Sequence, residues 1–231
     1  MPVDGGAPVQ LTTDSTIDCC PSWSPDGTEV AFHAFRSGNR DIFVISSDGG
    51  TARQLTNDPA QERYPHWSPD GTKVVFQSDR GDGTGIYVVS KDRGELAGET
   101  PKRLALGAFA RWSPDGRLIA YTGGGSYVAI GAISVIPPEG GEPRQLSEFG
   151  IRPKWSRDGE TIFFRVTAPY ERAGIWSVPL SGGEPELLVH YDDPSRVPIR
   201  SEWSADGESF YFTLTEFESD VWVMELESAR E

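Results

Sequence analysis

The sequence Trp-Ser-Pro-Asp-Gly occupies residues 23–27 and returns at residues 67–71 and 112–116. Two looser copies follow, Trp-Ser-Arg-Asp-Gly at residues 155–159 and Trp-Ser-Ala-Asp-Gly at residues 203–207. Successive tryptophans of the motif are 44, 45, 43 and 48 residues apart. A fixed period of this length indicates a repeat architecture in which each copy is one supersecondary unit. The chain therefore contains five copies of one unit.

The motif itself predicts a tight turn between two strands. Proline presets φ at the first corner of a type I turn, aspartate tolerates the second corner, and glycine accepts the positive φ that follows. The residues seven and nine positions after each tryptophan are apolar, as at Val30 and Phe32. A spacing of two puts both side chains on one face of a strand.

Two further strands complete each unit. A run rich in β-branched and aromatic residues follows the hairpin, for example at residues 42–45 and 86–89. A shorter segment around a leucine, such as Leu55 or Leu104, comes next. Four strands per period predict the blade of a β-propeller, an all-β fold. We expect one domain, residues 1–231, in which the tryptophan and aromatic columns form the core between neighbouring blades.

The two ends of the sequence predict how the ring closes. The fifth copy has no fourth strand after its third, whereas residues 4–12 align with residues 48–56, the fourth strand of the first copy. The N-terminal strand is therefore expected to pair with residues 221–225 and complete the last blade, which removes the exposed sheet edges. The same alignment makes residues 1–3 the end of a third strand. The other interpretation is therefore that this chain is a fragment of a longer repeat array.

Composition excludes several classes of partner. The chain has 21 Lys and Arg against 35 Asp and Glu, a net charge of −14. This is the wrong sign for binding nucleic acid through its phosphates. There is no apolar run of the ~18 residues that cross a bilayer, so membrane insertion is not expected. Adjacent Cys19 and Cys20 and three histidines match no zinc-ligand spacing, so we expect neither a metal nor a cofactor.

The repeat resembles the TolB-type propeller repeat, also called PD40. The resemblance rests on the Trp-Ser-Pro-Asp-Gly motif, on Val-Ala-Phe at residues 30–32, on residues 36–44 and on Gln-Leu-Thr at residues 54–56. It covers almost the whole chain and implies a bacterial, periplasmic or extracellular setting, although no export signal is visible. Six blades are usual in this family, whereas this chain has five copies.

The resemblance is compatible with several functions. The family includes propellers that bind partner proteins, propellers attached to serine peptidases or kinases, and lyases. A peptidase of this kind needs a Gly-x-Ser-x-Gly nucleophile elbow, which does not occur here. We therefore expect a non-catalytic, monomeric module that binds a protein or peptide. A metal-dependent hydrolase or lyase with His66 and Glu202 as ligands, and an accessory propeller of a peptidase or kinase, remain the alternatives.

The candidate site follows from where the first strand of each blade lies. This strand lines the central channel, so residues one and three positions before each tryptophan are expected at the channel mouth, where ligands commonly bind. Arginine beside aromatic rings can bind a carboxylate through paired hydrogen bonds. The alternative is that these cations only balance nearby acids such as Asp18, Glu62, Glu148 and Glu202. The candidate ligand-binding residues are Arg63, Tyr64, His66, Phe109, Arg111, Arg152, Lys154, Arg200 and Glu202.

Overall fold

The structure is a computed structural model that describes most of the chain. The described residues are 9–13, 17–36, 38–92, 94–95, 98–124, 131–167 and 172–190, together with the backbone of three later strands at 203–205, 209–215 and 219–225. The secondary-structure elements of this part of the chain are β-strands, and neighbouring strands pair antiparallel. No helix among these residues is long and apolar enough to span a membrane.

The strands follow the repeat and form consecutive meanders. The first blade contains β1 (Asp18–Trp23), β2 (Glu29–Arg36), β3 (Asn39–Ser46) and β4 (Arg53–Gln54). The second blade contains β5 (Glu62–Trp67), β6 (Lys73–Ser78), β7 (Gly85–Ser90) and the beginning of β8 (Lys102–Trp112). The third contains the end of β8, then β9 (Ile119–Gly123), β10 (Ala132–Ile136) and β11 (Arg144–Ser147). The fourth contains β12 (Ile151–Trp155), β13 (Thr161–Val166), β14 (Gly174–Pro179) and β15 (Glu186–His190), and the fifth contains β16 (Trp203–Ala205), β17 (Ser209–Thr215) and β18 (Ser219–Glu225).

The second and third blades share one strand, so their strands form a single seven-stranded sheet. The first half of β8 pairs with β7 and the second half pairs with β9. Only eight residues separate Leu104 from Trp112, whereas twelve separate Leu55 from Trp67. Because the short link leaves no room for a loop, the fourth strand of one blade continues directly into the first strand of the next.

The predicted turn is confirmed in the four blades whose side chains are described. Gly27, Gly71, Gly116 and Gly159 each donate their N–H to the serine carbonyl three residues earlier at 2.9–3.1 Å, with φ between 69° and 76°. The aspartate of the motif stabilises the turn. In the first copy, Asp26 Oδ1 accepts hydrogen bonds from Ser24 Oγ at 2.6 Å and from the Thr28 N–H at 3.0 Å.

The apolar columns form cores between blades, as predicted. Trp67 is 3 % exposed and packs with Ile42 and Val44 of the first blade and with Val74 of its own. Its indole N–H donates to the Ser22 carbonyl at 3.1 Å. Trp112 is also buried, and Trp155 donates in the same way to the preceding blade, to the Arg111 carbonyl at 3.0 Å. These three tryptophans therefore pack on the blade before their own.

The prediction that every tryptophan of the motif is buried is wrong for Trp23, which is 58 % exposed. Its indole would need a preceding blade, and the described residues before β1 do not form one. Within this segment, Leu11 packs against the cluster of Phe32 and Phe43. It precedes Trp23 by twelve residues, as Leu55 precedes Trp67, and Leu55 likewise packs on the following blade.

Closure of the ring by the N-terminal strand stays a prediction. Residues 4–8 of that strand lie outside the described residues, and residues 9–12 are described without strand pairing. The described part of the fifth blade is a sheet of β16, β17 and β18 in that order.

Candidate functional site

The first strand of each of the first four blades contains a bulge at the same position. The register with the second strand shifts between Cys19 and Ser22, and at the equivalent points of β5, β8 and β12. The third residue before each tryptophan is left-handed there, with φ of 55–58°. The four left-handed residues are Cys20, Tyr64, Phe109 and Arg152. Such a conformation costs a non-glycine residue roughly 1–2 kcal/mol.

Polar side chains of the preceding blade face the backbone of two of these bulges. The Tyr64 N–H points at His33 Nδ1 at 3.4 Å, and the Arg152 N–H donates to Thr122 Oγ1 at 3.0 Å. Both acceptors lie ten residues after a motif tryptophan and are buried. A bulge re-aims the side chain of the extra residue. The unusual backbone therefore turns one side chain per blade away from the regular pleat.

The bulges bring three of the predicted residues into one cluster, named here the aromatic–arginine cluster: Tyr64, Phe109 and Arg152. The rings of Tyr64 and Phe109 meet edge to face with centroids 4.8 Å apart. The Arg152 guanidinium carbon lies 4.0 Å from the Phe109 ring centroid and 5.3 Å from that of Tyr64. The first strands β1, β5, β8 and β12 also contact one another in sequence, as the innermost strands of adjacent blades do.

The residues directly before the tryptophans form a separate layer. His66 Nδ1 faces the Trp112 N–H at 3.4 Å, so this side chain links two blades. Burial lowers the pKa of His66 well below its usual value, and the nearby Arg111 and Lys154 add to this shift. Arg111, Lys154 and His66 are therefore neighbours in this layer.

Of the three remaining predicted residues, the structure describes one, Arg63. Arg63 lies opposite Gln77 in the β5–β6 pairing. Its positive charge contributes to lowering the pKa of His33. Arg200 and Glu202 lie outside the described residues. The alternative of a metal site formed by His66 and Glu202 therefore stays a prediction, because only His66 is among the described residues.

Sequence reasoning missed the column ten residues after each tryptophan. Its described members are His33, Gln77, Thr122 and Arg165, all buried at 5 % exposure or less. They pair across the strands with the residue next to each bulge. Among the described residues, Gln77 has no hydrogen-bond partner for its Oε1 or Nε2. The signal in the sequence was a polar residue, in every copy, directly after the aromatic residue that lies nine positions beyond the tryptophan.

Sequence reasoning also missed a group of potential metal ligands. One ligand atom from each of Cys19, Cys20 and His33 lies within 4.8 Å of the other two. The spacing rule failed here because Cys19 and His33 lie fourteen residues apart and meet only through strand pairing. Burial lowers the pKa of His33 to about 4, and the charges of Arg40 and Arg63 contribute, so its ring is neutral at pH 7.

Two of the four acids that were expected to balance the site cations, Asp18 and Glu62, form ion pairs with other arginines. Asp18 lies 3.5 Å from Arg36, and the fully buried Glu62 is paired with Arg80. Arg80 also lies 2.6 Å from Glu95 and 3.7 Å from Asp58. Burial raises the pKa of Glu62 to about 7, although hydrogen bonds from Thr56 and Arg80 oppose this shift. This network connects the first two blades.

A cavity of about 550 Å³ lies elsewhere, between the end of β11 and the fourth blade. It is lined by Phe149, Trp176 and Arg172 among others. The Phe149 and Trp176 rings meet edge to face at 5.0 Å, and the Arg172 guanidinium lies 5.1 Å from the Phe149 ring. None of the predicted site residues that the structure describes lines it.

The repeated four-stranded meanders, the inter-blade tryptophans and the adjacent inner strands define a β-propeller. The profile of the PD40 family, described as TolB beta propeller domain, matches residues 3–149, which is more than half of the chain. The chain therefore belongs to the TolB β-propeller domain family. No curated protein sequence matches it significantly.

Similar solved structures share the fold and differ in function. TolB from Acinetobacter baumannii is 20 % identical with a TM-score of 0.71, over 96 % of this chain and 55 % of that protein. An oligogalacturonate lyase in complex with manganese is 14 % identical with a TM-score of 0.70, over 94 % of this chain and 68 % of that protein. An acylaminoacyl peptidase is 18 % identical with a TM-score of 0.61, over 90 % of this chain and 37 % of that protein. The chain thus spans only about half of the TolB protein and about a third of the peptidase.

Proposed function

We propose that this chain is a non-catalytic propeller module that binds an acidic peptide segment of a partner protein through the aromatic–arginine cluster. The observation that carries the proposal is the position of Arg152, whose guanidinium lies over two aromatic rings that strained backbone segments hold in place. Strained non-glycine residues concentrate at functional sites, where the surrounding structure holds their side chains in one direction.

The chemistry of the cluster suits a carboxylate. A guanidinium carries its N–H donors in a planar fork that can donate two parallel hydrogen bonds to a carboxylate. The rings of Tyr64 and Phe109 offer apolar and edge contacts to the neighbouring peptide. Nearby Gln77 adds a buried amide that lacks partners among the described residues, and amides of this kind pair with peptide groups.

The net charge of −14 opposes the approach of an acidic peptide. An acidic ligand is repelled by the whole chain at long range, so electrostatic steering does not accelerate its approach. Affinity must come from short-range contacts in the cluster. We therefore expect slow association that becomes faster with added salt, because salt screens the overall repulsion more than the close contact.

The test compares Arg152→Ala with Arg157→Ala. Arg157 is an exposed arginine of the turn that follows β12, so the control removes the same charge from the same blade. The probe is a labelled peptide rich in Asp and Glu, measured by fluorescence anisotropy beside its Asn and Gln analogue. We expect Arg152→Ala to weaken binding of the acidic peptide about tenfold or more, since a charge-assisted pair contributes on that order.

The melting temperature should stay nearly unchanged in both variants. Equal binding of the acidic and amide peptides, or equal losses in Arg152→Ala and Arg157→Ala, would contradict the proposal. Either result would leave the family assignment intact and direct attention to another surface, such as the cavity beside Phe149 and Trp176.

A further inference from the structure

We propose that Cys19, Cys20 and His33 bind a zinc ion through two thiolate sulfurs and one imidazole nitrogen. This site uses none of the residues of the proposed peptide site, and it lies on the first hairpin of the first blade.

Strand geometry brings the three ligands together. Cys19 on β1 is the direct partner of His33 on β2. In a regular strand, adjacent residues point to opposite faces, which would separate the two sulfurs. Cys20 is the left-handed residue of the bulge, with φ of 58°, and the two Sγ atoms consequently lie on the same side, 2.7 Å apart. All three ligand atoms fall within 4.8 Å of one another.

The donor set selects the class of metal. Zinc prefers thiolate and imidazole ligands, whereas magnesium and calcium prefer oxygen. Two thiolates neutralise a divalent ion, so the complex adds no net charge beside Arg40 and Arg63.

Binding requires a small local adjustment. With Zn–S bonds of about 2.3 Å and tetrahedral angles, the sulfurs would be about 3.8 Å apart, so they must separate by about 1 Å. Cys19 is exposed, and its side chain can rotate without displacing core residues. The contact from the Tyr64 N–H to His33 Nδ1 is 3.4 Å, beyond the usual length of such a bond, so little is lost when a metal replaces it.

Three protein ligands leave one position open to water or to an anionic group, as in sites that bind an exogenous ligand. His33 connects this position to the aromatic–arginine cluster, since its ring centroid lies 5.7 Å from that of Tyr64. An ion here would therefore lie beside the proposed peptide site and would restrain the ring on which Tyr64 packs.

The test uses the whole chain, reduced and stripped of metal with a chelator. Cobalt(II) serves as the first probe, because a tetrahedral thiolate site gives intense visible bands and a sulfur-to-metal charge-transfer band. Zinc should abolish these bands at one equivalent per chain. Cys19→Ser, Cys20→Ser and His33→Gln should each weaken zinc binding at least about tenfold, as loss of interactions at metal sites does.

His190→Gln is the matched control, because His190 is an exposed histidine of β15 outside the group. It should bind zinc like the original chain, and circular dichroism melts should show that all variants fold. A chain that binds no stoichiometric zinc would overturn the proposal. So would unchanged affinity in His33→Gln, or a mass showing that Cys19 and Cys20 stay oxidised to a disulfide in the presence of reductant.

Discussion

At the scale of single residues, the recurrent left-handed position is the feature that most distinguishes this chain. Cys20, Tyr64, Phe109 and Arg152 differ in size, polarity and charge, yet all adopt φ of 55–58°. The conformation is therefore imposed by the bulge and not by the residue type. It places the side chains of three blades in one cluster, at the expense of backbone strain in each.

Because of this strain, we predict that glycine substitutions at two neighbouring residues change the free energy of unfolding in opposite directions. Cys20→Gly should raise the free energy of unfolding by about 0.5–1 kcal/mol, because glycine adopts positive φ without steric cost. Cys19→Gly should lower it by a similar amount, since glycine weakens a regular strand position. Urea denaturation in reductant and chelator measures both. Destabilisation of equal size in the two variants would show that the bulge is unstrained.

At the scale of elements, the continuous strand β8 is the exception to the blade pattern. It changes partner from β7 to β9 at Gly107, which has φ of 157°. A Cβ atom at this position would lie 2.5 Å from a ring carbon of Tyr121 and 2.6 Å from the Thr122 carbonyl oxygen. The shared strand thus depends on the absence of a side chain at its bend.

This dependence predicts that Gly107→Ala lowers the free energy of unfolding by about 3 kcal/mol through overpacking against backbone and ring. Gly141→Ala is the control, because Gly141 has φ of 130° and no neighbouring atom within 4 Å of its Cβ position. It should show only the smaller cost of backbone strain. The measurement is the melting temperature of both variants. Equal decreases in melting temperature would rule out the clash at residue 107.

At the scale of the whole molecule, acidic groups buried between blades couple stability to pH. The network of Arg80 with Asp58, Glu62 and Glu95 contains three carboxyls and one guanidinium. Burial raises the pKa of Glu62 to about 7, above its usual 4.5. The folded chain therefore binds this proton more tightly than the unfolded chain. The resulting stability is fully present below pH 4.5 and is lost as pH rises through about 7.

A narrow pH window separates this effect from that of the histidines, and Asp41, whose pKa burial raises to about 6, adds a smaller loss of stability there in the same direction. Below about pH 6.5, His33 and His66 act in the opposite direction, because their lowered pKa values make the folded chain bind fewer protons. Between about pH 6.5 and pH 8, we expect the chain to lose about 1 kcal/mol of stability through Glu62. Glu62→Gln should flatten the curve of melting temperature against pH in this window. An unchanged slope would contradict the raised pKa.

Much of the architecture could be predicted because it depends on local properties. Proline, aspartate and glycine in the motif form the same turn wherever it occurs, and alternation of apolar residues assigns the strands that follow. The period of the tryptophans defines the number of copies. The exposed Trp23 escaped prediction, since burial of each tryptophan depends on the blade that precedes it.

The sequence by itself determined the blade repeat, the turns and the column that contains Tyr64, Phe109 and Arg152, because these follow from short-range chemistry and a fixed period. Only the tertiary structure decided which of those side chains meet, and it added Gln77 and the group of Cys19, Cys20 and His33. The physical reason is that strand pairing and the bulges join residues far apart in the chain. A shift of one residue in that pairing would send every side chain to the opposite face.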